Sequence, residues 1–108
     1  MSKQICFKLP SINDCEIIIT PCEEYISPYN EFEDIELIKE IINKACDNIW
    51  AWCTIKLEVY FKGLKGVDYL GCCSYDSEKE FKENSGYYDD MVKNAYNDLI
   101  KQLESFSF

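Results

Sequence analysis

The side chains able to do chemistry in this chain are carboxylates, lysine amines, thiols and phenols, because all 11 bases are lysine and neither histidine nor arginine occurs. That inventory removes whole mechanisms. There is no imidazole to act as general base, to activate a serine or cysteine nucleophile, or to complete a mixed Cys/His zinc site. There is no guanidinium to clamp a phosphate in two places. Seven cysteines remain, but Cys15 and Cys22, like Cys46 and Cys53, stand seven apart, and Cys72 and Cys73 are adjacent. With no Cys-x-x-Cys pair, a metal site would have to be gathered from distant segments. The expectation is no metal, no cofactor, and reduced thiols that are mostly buried as small hydrophobes. No catalytic constellation emerges, so the chain is read as a non-enzyme.

The carboxylates are distributed more tellingly. Between Lys8 and Lys39 thirty residues carry no positive charge and hold eight acids: Asp14, Glu16, Glu23, Glu24, Glu31, Glu33, Asp34 and Glu36. Tyr25, Tyr29 and Phe32 are interleaved with them, in a stretch where a core has little use for three rings. Carboxylates placed as phosphates and rings placed as bases would suit a basic groove that handles nucleic acid. The competing reading is a solvated loop followed by acids at a helix N-terminus, which accounts for Glu31 to Glu36 better than for Glu23 and Glu24. The candidate partner-binding residues are therefore Glu23, Glu24, Tyr25, Tyr29, Glu31, Phe32, Glu33, Asp34 and Glu36. A second acidic group, Asp76, Glu78, Glu80, Glu83, Asp89 and Asp90, contains Lys79 and Lys82 and reads first as a solvated helical face. It does not match a calcium loop. The net charge of −9 repels nucleic acid and anionic lipid, so the expected partner is a basic nucleic-acid-binding protein, with no direct nucleic-acid or membrane contact.

The elements that must carry these residues follow from periodicity. From Ala51 to Lys62 apolar residues alternate with polar or amphipathic ones, with Ala51, Cys53, Ile55, Leu57, Val59 and Phe61 on one face, the signature of a half-buried strand. Gly63-Leu64-Lys65-Gly66 would reverse the chain into a return strand from Val67 to Tyr75, with a bulge or close approach at Gly71. This predicts a hairpin over about 51–75. Trp50, Trp52 and Tyr60 fall on its other face, either packed on the loop from Pro21 to Asn30 or exposed as an aromatic patch. Cys15 to Thr20 reads as a short strand pairing with the hairpin, and Lys3 to Leu9 as a further short one.

Asn30 with Glu33 has the capping-box spacing, predicting a helix over about 31–46 with Ile35, Ile38, Ile41, Ile42, Ala45 and Ile49 on its buried side. Ser77 with Glu80 repeats that spacing before a short helix, Glu78 to Glu83. A last helix over about 87–104 carries Met91, Val92, Ala95, Leu99 and Leu103 at three-four spacing. The tail phenylalanines, Phe106 and Phe108, either fray or tuck into a groove. The 108 residues make a single domain, 1–108, of the α+β class: an antiparallel sheet built on the hairpin with the two main helices on one face. Residues 1–10 lack the apolar core of a secretory signal, and the odd cysteine count fits a reducing compartment, so cytoplasm is expected.

The run from Trp50 to Tyr88, with its WAWC start, the GLKGVDYLGCCSY segment and the GYYDDM entry to the last helix, resembles small acidic proteins of bacteriophages and other mobile elements. The resemblance covers about the C-terminal two thirds of the chain. It implies an anti-defence role of the anti-CRISPR or anti-restriction kind, exerted in the cytoplasm of a host bacterial cell. The function expected from charge and resemblance together is a non-enzymatic inhibitor that occupies the nucleic-acid path of a CRISPR effector or restriction enzyme. The alternative is a protein-interaction or assembly module that uses the aromatic hairpin face.

Overall fold

The computed structural model describes residues 9–105. The strand expected from Lys3, Cys6 and the tail phenylalanines lie outside the described residues. The architecture is α+β, with three antiparallel strands and three α-helices among the described residues.

Strand β2 (Cys53–Phe61) lies between β1 (Glu16–Cys22) and β3 (Leu64–Cys73). It is central because its alternation supplies a fully apolar face: Cys53, Ile55, Leu57 and Val59 have no solvent exposure. The reversal into β3 is tighter than the four residues expected. Lys62 and Gly63 alone form it, with φ of 48° and 82°, and a two-residue turn with both central φ positive matches the twist of the strands it joins. Gly66 is thereby released into β3 and does a different job. A Cβ there would run into the carbonyl oxygen of Ala95 and the amide nitrogen of Leu99, so glycine is what lets a helix settle directly on the strand.

The bulge expected near Gly71 is present one residue later. Ile55 pairs with Leu70 but Cys53 pairs with Cys73, and Cys72 takes up the extra residue with φ of 55°. This resets the faces of β3. Gly66, Asp68 and Leu70 share the core side, and Cys73 rejoins them beyond the bulge. Strand β1 also runs two residues past its expected end, through Pro21.

Helix α1 (Ile35–Ala45) starts later than expected. Pro28–Asn30 is a separate 3-10 turn capped by Ser27, and the helix cap is Asp34, whose Oδ1 accepts from the amides of Glu36 at 3.0 Å and Leu37 at 3.2 Å. Asn30 is therefore not the cap, and Glu31, Phe32 and Glu33 stay outside the helix. Ile38 and Ile41 are buried, packed toward the turns Pro28–Asn30 and Ile49–Ala51. Ile35, Ile42 and Ile49, expected in the buried stripe, are 50%, 38% and 46% exposed, because two narrow turns cover less of a helix than a sheet would.

Helix α2 (Glu78–Asn84) is capped by Ser77, whose hydroxyl accepts from the Glu80 amide at 3.2 Å. It drives Phe81 into the core, ringed by Trp50, Tyr75 and Tyr88. Helix α3 (Tyr88–Glu104) lies across β3 and β2 with Met91, Ala95, Leu99 and Leu103 buried, the four-residue spacing of one helical stripe. Of the two long helices, α3 covers the sheet face and α1 stands mainly against the turns.

Candidate interaction surface

The segment from Glu23 to Asp34 divides its side chains between those that grip the body of the protein and those that leave it. Glu24 is the main grip. Its Oε1 accepts from the Thr54 hydroxyl at 2.8 Å and from the Cys72 amide at 2.5 Å, while Oε2 accepts from the Ile26 amide at 3.0 Å. The bulge at Cys72 turns that amide out of the strand ladder and leaves it available to a side chain. These donors, the Cys72 amide foremost, hold the Glu24 carboxyl below the usual carboxylate range. Trp52, 9% exposed, donates its indole N–H to the Ile26 carbonyl at 2.8 Å and meets Phe32 edge-on with centroids 5.9 Å apart. Pro28 is buried beside them.

The other residues of the segment face outward. Tyr25 is 88% exposed and Tyr29 54%, and Glu23, Glu31 and Glu33 are exposed with them. Glu36 continues the row on the first turn of α1. None of the carboxylates of Glu23, Glu31, Glu33 and Glu36 has a hydrogen bond or ion pair among the described residues. Ile26, Ile35 and Leu37 are also exposed nearby in the chain; of these, Ile35 is the one whose helical spacing predicts burial. The result is an acidic, aromatic ledge, clamped from behind by Glu24, Phe32 and Pro28. Of the nine residues expected to bind a partner, Glu23, Tyr25, Tyr29, Glu31, Glu33 and Glu36 stand free on it. Glu24 and Phe32 hold the loop, and Asp34 caps α1.

The secondary candidates are largely occupied inside the protein. Trp50 does not share a face with Trp52 and Tyr60, since the 3-10 turn Ile49–Ala51 breaks the alternation before β2 begins. Trp50 turns inward to stack on Phe81 at 6.2 Å, and Trp52 packs on the loop, one of the two positions expected for it. Tyr60 donates to Glu58 Oε2 at 2.9 Å, on the sheet face opposite α3. Glu58 is only 5% exposed there, covered by Lys65 at 2.8 Å and Lys56 at 3.8 Å. Its carboxyl is held below the usual range chiefly by the Lys65 hydrogen bond. Glu80 accepts from the Asp76 amide at 2.6 Å, Glu78 pairs with Lys82 at 3.2 Å, and Asp89 and Asp90 sit in the first turn of α3, where the helix dipole favours acids.

The cysteines are less uniformly buried than expected. Cys53 and Cys73 oppose each other in the core, Cys15, Cys22 and Cys72 are half-buried, and Cys46 is exposed, all as free thiols. Burial pushes the Cys53 thiol up to about 12 and the Cys73 thiol up to about 11, so neither is a ready nucleophile. Two open clefts of about 270 and 300 Å³ flank Phe32 and Tyr75, at the small end of ligand pockets. Among the described residues no three Cys, Asp or Glu side chains gather as a metal site, and no helix is long and apolar enough to cross a membrane. No family model, curated protein or solved structure matches the chain.

Proposed function

We propose that this chain is a non-enzymatic inhibitor that docks its acidic, aromatic ledge into the basic nucleic-acid groove of a host-defence protein, a CRISPR effector or restriction enzyme, in the cytoplasm of a bacterial cell. One observation carries the reading: among the described residues Glu23, Glu31, Glu33 and Glu36 have no hydrogen-bond or ion-pair partner, while the loop beneath most of them is fixed by the Glu24, Trp52 and Phe32 contacts. Unpaired acids repel one another at a cost in stability. Holding them on a preorganised loop lowers the entropy that a partner must overcome on binding. Tyr25 and Tyr29 add rings that lose few rotamers on contact. The aromatic-hairpin reading is weakened by the inward turn of Trp50 and the covering of Trp52.

The test is binding to purified CRISPR effectors and restriction enzymes across a salt series, with and without competing DNA or guide RNA. Carboxylates standing in for phosphates require affinity to fall steeply with salt and nucleic acid to compete. Binding indifferent to both would refute the reading.

A further inference from the structure

The two edges of the sheet are treated differently. In β3 two of the outward backbone groups are taken up by α3: the Val67 amide donates to Asp98 Oδ2 at 3.0 Å, and Gln102 Nε2 donates to the Lys65 carbonyl at 2.7 Å. The tight turn makes Phe61 and Leu64 a hydrogen-bonded pair. Counting back by twos, Val59, Leu57 and Ile55 bond to β3, so Tyr60, Glu58 and Lys56 bond to β1 through Glu16, Ile18 and Thr20. The N–H and C=O groups of Ile17 and Ile19 therefore point away from the sheet, as does the proline nitrogen of Pro21, the one place where a strand tolerates proline. No described residue hydrogen-bonds to the outward groups of Ile17 or Ile19.

We infer that the β1 edge pairs with the β1 edge of a second copy of this chain, antiparallel about a two-fold axis at Ile18, joining two three-stranded sheets into one of six strands. The occupant is chosen by self-complementarity. With Ile18 on the axis, Ile17 lies opposite Ile19 of the second copy and the reverse, so two donors and two acceptors on each chain are satisfied at once. Ile18, 38% exposed, meets its own mate on the open face. Glu16, the only charged residue of β1, falls opposite Thr20 and not opposite another acid, which matters in a pairing of two chains of charge −9. The next pair outward, Cys15 with Pro21, can form no ladder bond: the Cys15 amide already donates to Ile12 at 3.1 Å and proline has no N–H. The edge is thus limited to one short register, which favours a closed dimer over open-ended strand addition. Helix α3 lies mainly on β3 and β2, at the far side of the sheet from the proposed axis.

The experiment is light-scattering mass across a concentration series up to the millimolar range, at physiological salt. The full chain is expected to move from 12.7 kDa toward twice that mass. Ile18→Lys sets two ammonium groups face to face and should weaken dimerisation about tenfold or more. Tyr69→Lys, on the opposite edge of the sheet, should leave it unchanged. Ile18→Cys tests the register without relying on a loss: mild oxidation should give an intermolecular disulfide at position 18, found by peptide mass spectrometry. A mass that stays at one chain throughout overturns the inference, as does a dimer equally sensitive to Ile18→Lys and Tyr69→Lys. A chain that dimerises only once residues 1–8 are deleted would also overturn it, by assigning the edge to that segment.

Discussion

Replacing Glu24 with alanine removes the carboxylate on which the ledge is hung. Two of its hydrogen bonds, from Thr54 and from the Cys72 amide, are part-buried, while the third, from Ile26, is exposed and can pass to water. After a discount for solvent screening, about 1–2 kcal/mol for each part-buried bond gives a loss of about 2–4 kcal/mol. Glu24→Gln keeps one carbonyl acceptor and should lose about half as much. The pH dependence has a definite sign. The folded Glu24 pKa is lowered below the ordinary glutamate value, so its stabilisation is fully present above that ordinary value and is lost as pH falls through the lower folded one. Urea denaturation of wild type and Glu24→Gln at stepped pH reads this directly. The gap between them should be constant near neutrality and close as pH falls through the lowered Glu24 value. Glu58 loses stabilisation in the same direction, but in both proteins, so it cancels from the difference. A gap that persists unchanged at low pH, or no destabilisation at pH 7, would refute the anchoring role.

Three further outcomes follow from packing and caps. Leu99→Ala, at a site with no solvent exposure, should cost about 2–5 kcal/mol, read as a fall in melting temperature. Gly66→Ala should prevent native packing of α3, because the new methyl meets helix backbone that cannot rotate away; a native-like melt would contradict that close approach. In thiol titration of the folded protein Cys46 should react first, and Cys53 and Cys73 only on unfolding, as their burial and raised pKa values require.

How far the sequence alone could be read depends on which contacts decide each feature. The stripe of α3, the central strand β2 and the Ser77 cap follow from local patterns, and all three are present. Where distant segments decide, local pattern fails. Asn30 and Asp34 both precede runs with helix-forming acids, and Pro28, by nucleating its own turn, hands the cap to Asp34. Trp50 and Trp52 keep strand parity on paper, yet the 3-10 turn at Ile49–Ala51 sends one to Phe81 and the other to Phe32. Glu24 could not be told from Glu23 by type or neighbourhood. What separates them is an amide 48 residues away, freed by a bulge of which Gly71 was the only local trace.

That separation also sharpens the functional test. Reversing Glu24 would disturb the loop, so the ledge is best probed with Glu23→Lys, Glu31→Lys and Glu33→Lys combined, all exposed carboxylates without a hydrogen-bond or ion-pair partner among the described residues. The control is Glu78→Lys with Glu83→Lys on α2, which changes net charge in the same direction at another surface. The decisive measurement is inhibition of nucleic-acid cleavage by purified CRISPR effectors and restriction enzymes, titrated with wild type, ledge variant and control. The account predicts that wild type and control inhibit a common target while the ledge variant, folded by circular dichroism, does not. Inhibition that survives the ledge reversals, or no inhibition of any effector by the wild type, would contradict it.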